Sequence, residues 1–484
     1  MHSYLSLQDR RTKILTTLGP ATDTPEKMEE LLLAGVNCVR VNFSHGTHAD
    51  HQKRIELVRQ VAKKHHRIIG ILGDLQGPKI RIARFRDKKI HLHSGDHFIL
   101  DAELDADAGT KQSVGIDYKQ LPHDVKKNDV LLLNDGLITF VVEKVEGARI
   151  YCIVEQGGEL SNHKGINKKG GGLSAKALTE KDHQDLLFAV KMNVDYLAIS
   201  FPRHAEDMHE AKRLIRSAEG TCGVIAKIER TEAVQHLDDI IIASDGVMVA
   251  RGDLAVEIGD AEVPMVQKHI IQRARSLDKP VIIATQMMES MIHNPVPTRA
   301  EVSDVANAVL DHADCIMCSA ETATGEFPIE TVEAMDRICR VVEKQPKTQH
   351  SKHRVECQFQ RIDEAIAMAT IYTANHFSVR AVVALTESGA TPLWMSRIRT
   401  GLPIYGLSRF DHTLGRMTLF RGVYPIYFDV TQCARDEVNE KAIALMEENK
   451  LLQKGDRVIL TKGDYLGRSG GSNAMKILVV GEIM

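Results

Sequence analysis

The chain has 484 residues, of which 43% are hydrophobic and 26% are charged, and its formal net charge is −3. This length is too great for one ordinary core and predicts two or three domains. The composition is typical of a globular protein, and the small net charge with a single tryptophan argues against a nucleic-acid-binding protein. No apolar run approaches the length of about 18 residues that crosses a membrane, and no signal peptide is recognised.

Eight cysteines are spread along the whole chain, which is not the pattern of a disulfide framework. Cys315 and Cys318 have the C-x-x-C spacing, but they lie in an apolar run that is typical of a strand. Residues three apart on a strand face opposite sides, so we do not expect them to share a metal ion. These features predict reduced core cysteines in a cytoplasmic protein.

Short apolar runs predict the strands of the first domain, and amphipathic helical segments follow most of them. The runs begin near Thr12, Val36, Arg67, Val194, Gly223, Gly246, Pro280 and Cys315. Most are separated by the length of one strand–helix unit, so the pattern predicts an α/β fold, the TIM (β/α)8 barrel. We assign residues 1–75 and 165–345 to this catalytic barrel.

The interval between the third and fourth predicted strands is too long by roughly 95 residues for one such unit. Residues 76–164 in this interval contain alternating short runs and Gly or Asp turns, which predict hairpins. We expect a small inserted β-barrel lid domain at the C-terminal face of the TIM barrel, where active sites lie. After a polar break, residues 346–484 predict a C-terminal open α/β domain.

Polar residues follow six of the predicted barrel strands, at the end that carries active sites. They are Arg40, Asn42, Ser44, His45, Asp74, Lys79, Arg81, Lys227, Glu229, Arg251, Gly252, Asp253, Thr285, Gln286, Ser319, Glu321 and Thr322. So many polar groups at the mouth of an apolar barrel are costly unless they bind a ligand. A single pair such as Lys227–Glu229 would also suit a structural ion pair, but the joint placement indicates a site.

Lys227, Glu229 and Asp253 follow two consecutive strands. Two carboxylates suit Mg²⁺ (or Mn²⁺), because such a cation takes one or two protein carboxylates and leaves positions for substrate and water. Lys227 is a suitable point charge for phosphate oxygens, and Arg40 and Arg81 supply further donors. The set predicts phosphoryl transfer, a metal-stabilised enolate, or both, and the sequence contains no P-loop motif.

The sequence resembles the pyruvate kinase family over essentially its whole length. The motifs that carry the resemblance are TKILTTLGPAT, RVNFSHG, GDLQGPKIR, KGIN, KIERTEA, VMVARGDLAVEI, ATQMMESM and SAETATGEFP. The resemblance implies transfer of a phosphoryl group from phosphoenolpyruvate to ADP, which gives pyruvate and ATP, by a Mg²⁺-dependent homotetramer. The residues alone also allow a different Mg²⁺-dependent barrel enzyme that acts on phosphoenolpyruvate or pyruvate, and a non-catalytic metabolite sensor.

The same resemblance implies roles for the residues of these motifs. Arg40 would contact the transferring phosphate, and Lys227 would stabilise it in the transition state. Glu229 and Asp253 would bind Mg²⁺. Three residues would hold the substrate carboxylate: Gly252, Asp253 and Thr285. The enolate would be protonated through water by Thr285 or Ser319, and the sequence does not decide between these two residues. Four residues would contact the nucleotide: Asn42, His45, Arg81 and Lys164.

The sequence departs from the family pattern at the monovalent cation site. Potassium-dependent members usually read D-T-K-G-P-E-I-R-T where this chain reads DLQGPKIRI from Asp74 onward. Lys79 replaces the usual glutamate, and its ammonium would supply the charge that potassium supplies elsewhere. The chain therefore resembles the potassium-independent subgroup, and we do not expect K⁺ to be required. Four residues occupy the positions of the family's usual ligands for the monovalent cation: Asn42, Ser44, Asp74 and Leu75.

In the C-terminal domain, the motif TESGAT follows a predicted strand and opens a helix. Hydroxyl groups and helix N–H groups in such a turn can bind an anion. In the family this turn holds an effector phosphate, and a Gly-rich loop at residues 462–477 closes over it. We expect a phosphorylated allosteric effector, although an ordinary helix cap is the alternative interpretation. The residues concerned are Thr386, Ser388, Gly389 and Thr391.

Overall fold

A computed structural model of the chain describes residues 10–349, 358–464 and 471–482. Parallel strands form a closed barrel in which each strand lies beside its neighbours in the sequence, and the last strand pairs with the first. This confirms the predicted TIM barrel. The barrel strands are β1 (Lys13–Thr17), β2 (Cys38–Asn42), β3 (Gly70–Asp74), β4 (Tyr196–Ile199), β5 (Gly223–Ile228), β6 (Gly246–Ala250), β7 (Val281–Ala284) and β8 (Cys315–Cys318).

The barrel strands are hydrophobic on both faces because one face lines the interior and the other contacts the surrounding helices. The interior cluster includes Leu15, Leu72, Ile225, Met248, Ile282 and Met317. Cys315 belongs to this interior cluster, whereas Cys318 packs outside the barrel with Met335. The two thiols therefore face opposite sides of β8, as the sequence predicts.

Helices surround the barrel, and several begin with a threonine that forms a capping box, including Thr47, Thr179 and Thr298. The helices of this domain are Pro25–Leu33, His48–Lys64, Glu180–Lys191, Ala205–Ser217, Thr231–Gln235, Leu237–Ala243, Arg251–Ile258, Val263–Ser276, Arg299–Leu310, Ala320–Ala323 and Pro328–Glu343. Short 3-10 turns occur at Pro20–Thr22, Glu289–Ile292 and Pro346–Thr348.

The connection between β5 and β6 contains more than one helix. It consists of two short helices, Thr231–Gln235 and Leu237–Ala243, separated at His236. The backbone of His236 leaves the helical region, with φ −106° and ψ 29°, and its ring lies against that of His204 with centroids 4.6 Å apart. The acidic residues that follow then open a second helix, where carboxylates suit the first turn.

The insert after β3 is rich in β-structure and has its own core, which includes Phe98, Phe140 and Ile150. One sheet has six strands and a second has two. The strands are Lys89–Leu92, His97–Asp101, Ser113–Gly115, Val130–Leu133, Ile138–Glu146, Arg149–Gln156, Gly158–Ser161 and Ile166–Lys168, with a short helix at Leu121–Asp124. The residue boundaries of all three domains stay predictions.

The C-terminal domain is an α/β layer with a five-stranded sheet. Its strands are Ala381–Leu385, Ile404–Ser408, Val423–Tyr427, Arg457–Gly463 and Ser472–Val479, and only the last of them is antiparallel to its neighbour. Its helices are Ile362–His376, Ala390–Ser396, Asp411–Met417 and Val438–Glu448, with a 3-10 turn at Val430–Gln432. Within the described ranges, no helix has the length and apolar character needed to cross a membrane.

Candidate active site

The carboxyl ends of β2, β3 and β5 carry a buried network of charged side chains. Lys227 Nζ lies 3.0 Å from Glu229 Oε1 and 3.3 Å from Asp74 Oδ1. Arg40 donates a hydrogen bond from Nε to Asp74 Oδ2 at 2.6 Å, and another from Nη1 to Thr17 Oγ1 at 3.1 Å. Parallel strands end at the same edge of a barrel, so residues far apart in the sequence meet here. The structure thus brings together Arg40, Lys227 and Glu229 as predicted.

Ser200 completes this network at the end of β4. Lys227 Nζ donates to Ser200 Oγ at 2.7 Å, and Ser200 Oγ donates to the carbonyl oxygen of Leu75 at 2.7 Å. The serine is buried and therefore has a fixed orientation. Sequence reasoning missed Ser200, although it directly follows a predicted strand, which is the signal that identified the other residues of the site.

The network keeps Lys227 positively charged. Burial alone would lower the pKa of Lys227, but the carboxylates of Asp74 and Glu229 outweigh it and raise that pKa above the ordinary value. Burial raises the pKa of Asp74, but Lys227 and Arg40 hold it below the ordinary value. The mouth of the barrel therefore contains two fixed cations whose positions depend on one shared carboxylate.

Glu229 fits a divalent cation together with Asp253. Burial raises the pKa of Glu229 to about 7, Lys227 opposes this increase, and the nearby Asp253 adds to it. Glu229 Oε1 is buried, and its close polar neighbour among the described residues is Lys227 Nζ at 3.0 Å. A buried carboxylate beside a second carboxylate is stabilised by a cation, and two carboxylates match the preference of Mg²⁺. No group of three or more His, Cys, Asp or Glu suited to a metal occurs in the described part of the chain.

The backbone at Phe201 orients Glu229. Phe201 has a φ of +56°, a conformation that a bulky side chain rarely adopts. Its N–H donates to Glu229 Oε2 at 2.9 Å, which fixes the carboxylate and leaves Oε1 directed at Lys227. Strained backbone of this kind is concentrated at functional sites. The sequence carries no clear signal for it.

The loops after β6 and β7 bring together the three residues predicted to hold the substrate carboxylate. The helix Arg251–Ile258 begins directly after β6, so Gly252 and Asp253 lie in its first turn rather than on a strand. The Gly252 N–H donates to Thr285 Oγ1 at 2.9 Å, and that hydroxyl donates to the Ala284 carbonyl at 2.6 Å. Gly252 and Thr285 therefore have fixed positions beside Asp253.

Two further side chains fix these loops. Arg251 donates to both carboxylate oxygens of Asp304, at 2.8 and 2.7 Å, and to the carbonyl oxygen of Thr285 at 2.6 Å. Glu321, after β8, accepts from the N–H groups of Ser319 at 2.6 Å and Met288 at 3.2 Å. Both residues named for proton delivery, Thr285 and Ser319, thus lie on rigid loops at the barrel mouth.

The residues predicted to contact the nucleotide lie in a basic region between the barrel and the insert. Arg81 and Gly165 form an isolated β-bridge, which places Arg81 beside Lys164. Burial, Lys79, Arg40 and Arg81 together lower the pKa of His45, so these cations lie near its ring. A fourth predicted residue, Asn42, accepts a hydrogen bond from the N–H of Ser44 at 3.1 Å through Oδ1.

The residues predicted from the family's monovalent cation site already have protein partners. Asp74 is paired with Arg40 and Lys227, and the Leu75 carbonyl accepts from Ser200. Lys79 is exposed and lines a cleft between the insert and the barrel, together with Asp253.

The predicted effector turn forms a helix cap. Gly389, with φ 79°, precedes the helix Ala390–Ser396, and its N–H donates to Thr386 Oγ1 at 2.9 Å. The Ala390 N–H donates to Ser388 Oγ at 3.4 Å, and the buried Thr391 donates to Ser472 Oγ at 2.7 Å. Residues 465–470 of the Gly-rich loop that we expect to close over this turn lie outside the described residues.

Comparisons of the sequence with known proteins point to one family. The chain matches the family model of the pyruvate kinase barrel domain over residues 9–332 and that of the pyruvate kinase alpha/beta domain over residues 364–478. It is 53% identical to pyruvate kinase II of Salmonella typhimurium, over 98% of this chain and 100% of that protein. It is 52% identical to the pyruvate kinase of Buchnera aphidicola subsp. Acyrthosiphon pisum (97% and 99% covered) and 53% identical to that of Haemophilus influenzae (95% and 97%). The chain therefore belongs to the pyruvate kinase family.

Proposed function

We infer that this chain is a pyruvate kinase, an enzyme that transfers the phosphoryl group of phosphoenolpyruvate to ADP and gives pyruvate and ATP, the last step of glycolysis. The observation that carries this inference is the position of Lys227, a buried cation between Asp74 and Glu229 at the barrel mouth. Phosphoryl transfer has a loose transition state that is stabilised mainly by positioned positive charge. Family membership and this geometry therefore support the same reaction.

We propose that Arg40 and Lys227 bind the transferring phosphoryl group from two sides. Their shared pairing with Asp74 fixes both side chains before substrate binds, so little reorganisation is needed during the reaction. Ser200 restrains the ammonium of Lys227 from a third direction. The protein's main contribution to the transfer step is thus preorganised charge.

The family requires a divalent cation, and we propose that Glu229 and Asp253 hold it. When bound, Mg²⁺ (or Mn²⁺) supplies Lewis-acid stabilisation to the enolate oxygen and phosphoryl group. The burial of Glu229 and the nearness of the Asp253 carboxylate, which raises the pKa of Glu229, support this assignment. Phe201 and Lys227 orient Glu229 from the protein side, so its carboxylate is already in place.

Gly252, Asp253 and Thr285 are proposed to hold the substrate carboxylate. The first turn of the helix Arg251–Ile258 has its N–H groups there, and helix N-termini favour anions. Thr285 or Ser319 delivers the proton to the enolate through water. Both lie on loops that Arg251 and Glu321 hold in place, which fixes the face of the enolate that they approach.

ADP and ATP are proposed to bind between the barrel and the insert, in contact with the four residues Asn42, His45, Arg81 and Lys164. The location of Arg81 and Lys164 on the insert's connecting segments supports this assignment, because nucleotide binding and lid closure would then be coupled. A closed lid excludes water, which would otherwise accept the phosphoryl group.

We further propose that turnover does not require potassium, as in the potassium-independent subgroup. Asp74 is neutralised by two protein cations, and the Leu75 carbonyl is occupied by Ser200, so two of the usual ligands are engaged. Lys79 brings an additional positive charge to the same side of the site, close enough to affect His45. Asn42 and Ser44 complete the group of residues at which the family binds the ion.

Regulation by a phosphorylated effector at Thr386, Ser388, Gly389 and Thr391, and assembly as a cytoplasmic homotetramer, are proposals that come from the family. The left-handed Gly389 and the N–H groups of the following helix support the effector site.

Another Mg²⁺-dependent enzyme of phosphoenolpyruvate or pyruvate would also use Lys227, Glu229 and Asp253. It would not need Arg81 and Lys164 beside the barrel mouth, and this favours the kinase. A coupled assay of pyruvate release from phosphoenolpyruvate, with and without ADP and Mg²⁺, tests the proposal. A pyruvate kinase requires both additions, whereas release that does not depend on ADP would identify a different enzyme.

A further inference from the structure

A second basic cluster lies at the opposite end of the barrel from the active site, between the barrel and the C-terminal domain. We call it the interdomain arginine cluster. Two of its members, Arg11 and His312, precede β1 and β8, so they lie at the amino ends of the strands. The cavity that the cluster encloses is lined by Arg11, Arg275, His312, Arg397, Arg399 and Arg421, with Asp314 and several hydroxyl side chains.

The arginines outnumber the carboxylates that neutralise them. Asp314 is the only carboxylate among the described residues that line the cavity, and it pairs with Arg397 through both oxygens. Glu343 lies beside the cavity, and its Oε atoms are 3.7 Å from Arg11 Nε and 3.2 Å from Arg421 Nη2.

Arg399 contacts a carbonyl group instead, because its Nη1 donates to the Lys347 carbonyl at 2.9 Å. A carbonyl group satisfies a donor but does not cancel charge. Among the described residues, Asp314 and Glu343 therefore leave an excess of positive charge on four arginines: Arg11, Arg397, Arg399 and Arg421.

The arginines also act on a neighbouring histidine. Burial, followed by Arg421, Arg399, Arg275 and Arg11, lowers the pKa of His312 to about 2. A potential that removes the proton from a histidine also attracts an anion. Buried like charges that lack a counter-ion are expensive, and a bound anion would relieve that cost.

The cavity has the size and donors for a compact anion. The cavity has a volume of about 20 Å³ and opens to solvent. Arg399 Nε is buried without a hydrogen-bond partner among the described residues, so a donor remains at the wall. Arginine forks bind tetrahedral oxyanions well, and a nucleotide would be too large for this space.

We propose that the interdomain arginine cluster is an anion site, which binds one phosphate-sized oxyanion between the barrel and the C-terminal domain. The oxyanion is either free phosphate or the phosphoryl group of a small monoester. This site lies apart from the active site and from the turn at Thr386–Thr391. Its occupation would neutralise the joint and stabilise the contact between the two domains.

The first test measures the thermal unfolding midpoint of the full chain in sodium phosphate and in sodium chloride of equal ionic strength. Three variants are compared: Arg399→Gln, Arg399→Lys, and Arg380→Gln as a matched control at an exposed arginine of the same domain. We expect phosphate at about ten times its Kd to raise the midpoint by about 2 °C in the native chain, the control and Arg399→Lys. This rise in the midpoint should disappear in Arg399→Gln. Phosphate that binds elsewhere would instead raise the midpoint of all four proteins equally.

The second test uses only the native chain and therefore does not depend on how a variant folds. Crystals are soaked in selenate, which has the charge and shape of sulfate and gives an anomalous signal. A peak in the cavity together with the Arg399-dependent midpoint shift supports the proposal. An empty cavity would overturn the proposal. A peak without the midpoint shift would also overturn it, because the peak would then mark an adventitious ion only. Glycerol 3-phosphate in place of phosphate distinguishes the two sources of the oxyanion.

Discussion

Lys227 donates a hydrogen bond to Ser200 Oγ at 2.7 Å, and the same hydroxyl donates onward to the Leu75 carbonyl at 2.7 Å. The serine thus connects Lys227 of β5 to the segment at which the chain leaves the barrel for the insert. This connection restrains the ammonium and gives the Leu75 carbonyl, which we propose binds no monovalent cation here, a protein donor. We regard Ser200 as a positioning residue for Lys227.

Replacement Ser200→Ala should lower kcat about ten-fold, because Lys227 loses one of the three groups that fix it. The KM for phosphoenolpyruvate should change less than kcat, since the charge of Lys227 is retained. Ser200→Thr keeps the hydroxyl and should recover most of the rate. Steady-state kinetics of the two variants provide the test. Equal losses in both would indicate a packing role for the serine instead.

Glu229→Gln should weaken binding of the divalent cation, because a neutral amide replaces one of two carboxylate ligands. We expect the Mg²⁺ concentration for half-maximal rate to rise by about ten-fold or more. Titration with Mn²⁺, in which free ion is followed by electron paramagnetic resonance, measures binding without turnover. Asp260→Asn, at an exposed carboxylate near Asp253, is the control and should behave as the native chain. Unchanged Mn²⁺ affinity in Glu229→Gln would contradict the assignment.

The native chain should keep its rate when tetramethylammonium replaces potassium, because protein cations already neutralise Asp74. Lys79→Glu should make turnover dependent on potassium, since it removes one positive charge and adds a carboxylate. The rate of each protein is measured over a series of potassium concentrations at constant ionic strength. A collapse of the native rate in tetramethylammonium would rule out potassium independence.

Lys13 should make stability depend on pH above neutrality. Its ammonium is buried, donates to the Val423 carbonyl at 2.5 Å and lies 4.2 Å from the ring centre of Tyr424. Burial, and then Arg10, lower the pKa of Lys13 to about 7, against 10.5 in the unfolded chain, while Glu343 opposes the shift. Between these values the unfolded state binds more protons, so stability rises with pH.

The slope from Lys13 should reach at most about 1.4 kcal/mol per pH unit. Lys13→Met removes the titrating group. Over about two pH units, from pH 7 to pH 9, its free energy of unfolding should therefore rise less steeply than that of the native chain. Lys53→Met, at an exposed lysine, provides the control and should keep the native slope. Denaturant unfolding at several pH values measures these slopes. Parallel curves for the two variants would show that Lys13 is charged throughout this range.

The barrel and most of its mouth could be predicted from sequence because both depend on local patterns. Apolar runs identify the strands, and polar residues at their carboxyl ends, such as Arg40 and Lys227, must lie at the carboxyl end of the barrel. Ser200 follows the same rule but was overlooked, since a single serine carries little chemical signal. The connection between β5 and β6 divides at His236, where the ring lies against that of His204, and no periodicity reveals this division.

Other features depend on tertiary distances that a linear sequence does not contain. The positive φ of Phe201 is imposed by the fold around Glu229, and no neighbouring glycine indicates it. The interdomain arginine cluster assembles residues from the segment before β1, a barrel helix and the C-terminal domain. Each arginine alone resembles an ordinary surface residue, and the excess charge becomes apparent only when the domains are in contact.

The rate of ADP-dependent pyruvate formation in the native chain and in Lys227→Met tests the central claim most directly. Circular dichroism first establishes that the variant is folded, and Lys212→Met, whose lysine pairs with Asp245 away from the barrel mouth, is the control. We predict Mg²⁺- and ADP-dependent pyruvate formation in the native chain and the control, with a loss of about 10³-fold or more in Lys227→Met. Absence of pyruvate from the native chain, or a near-native rate in Lys227→Met, would contradict the account.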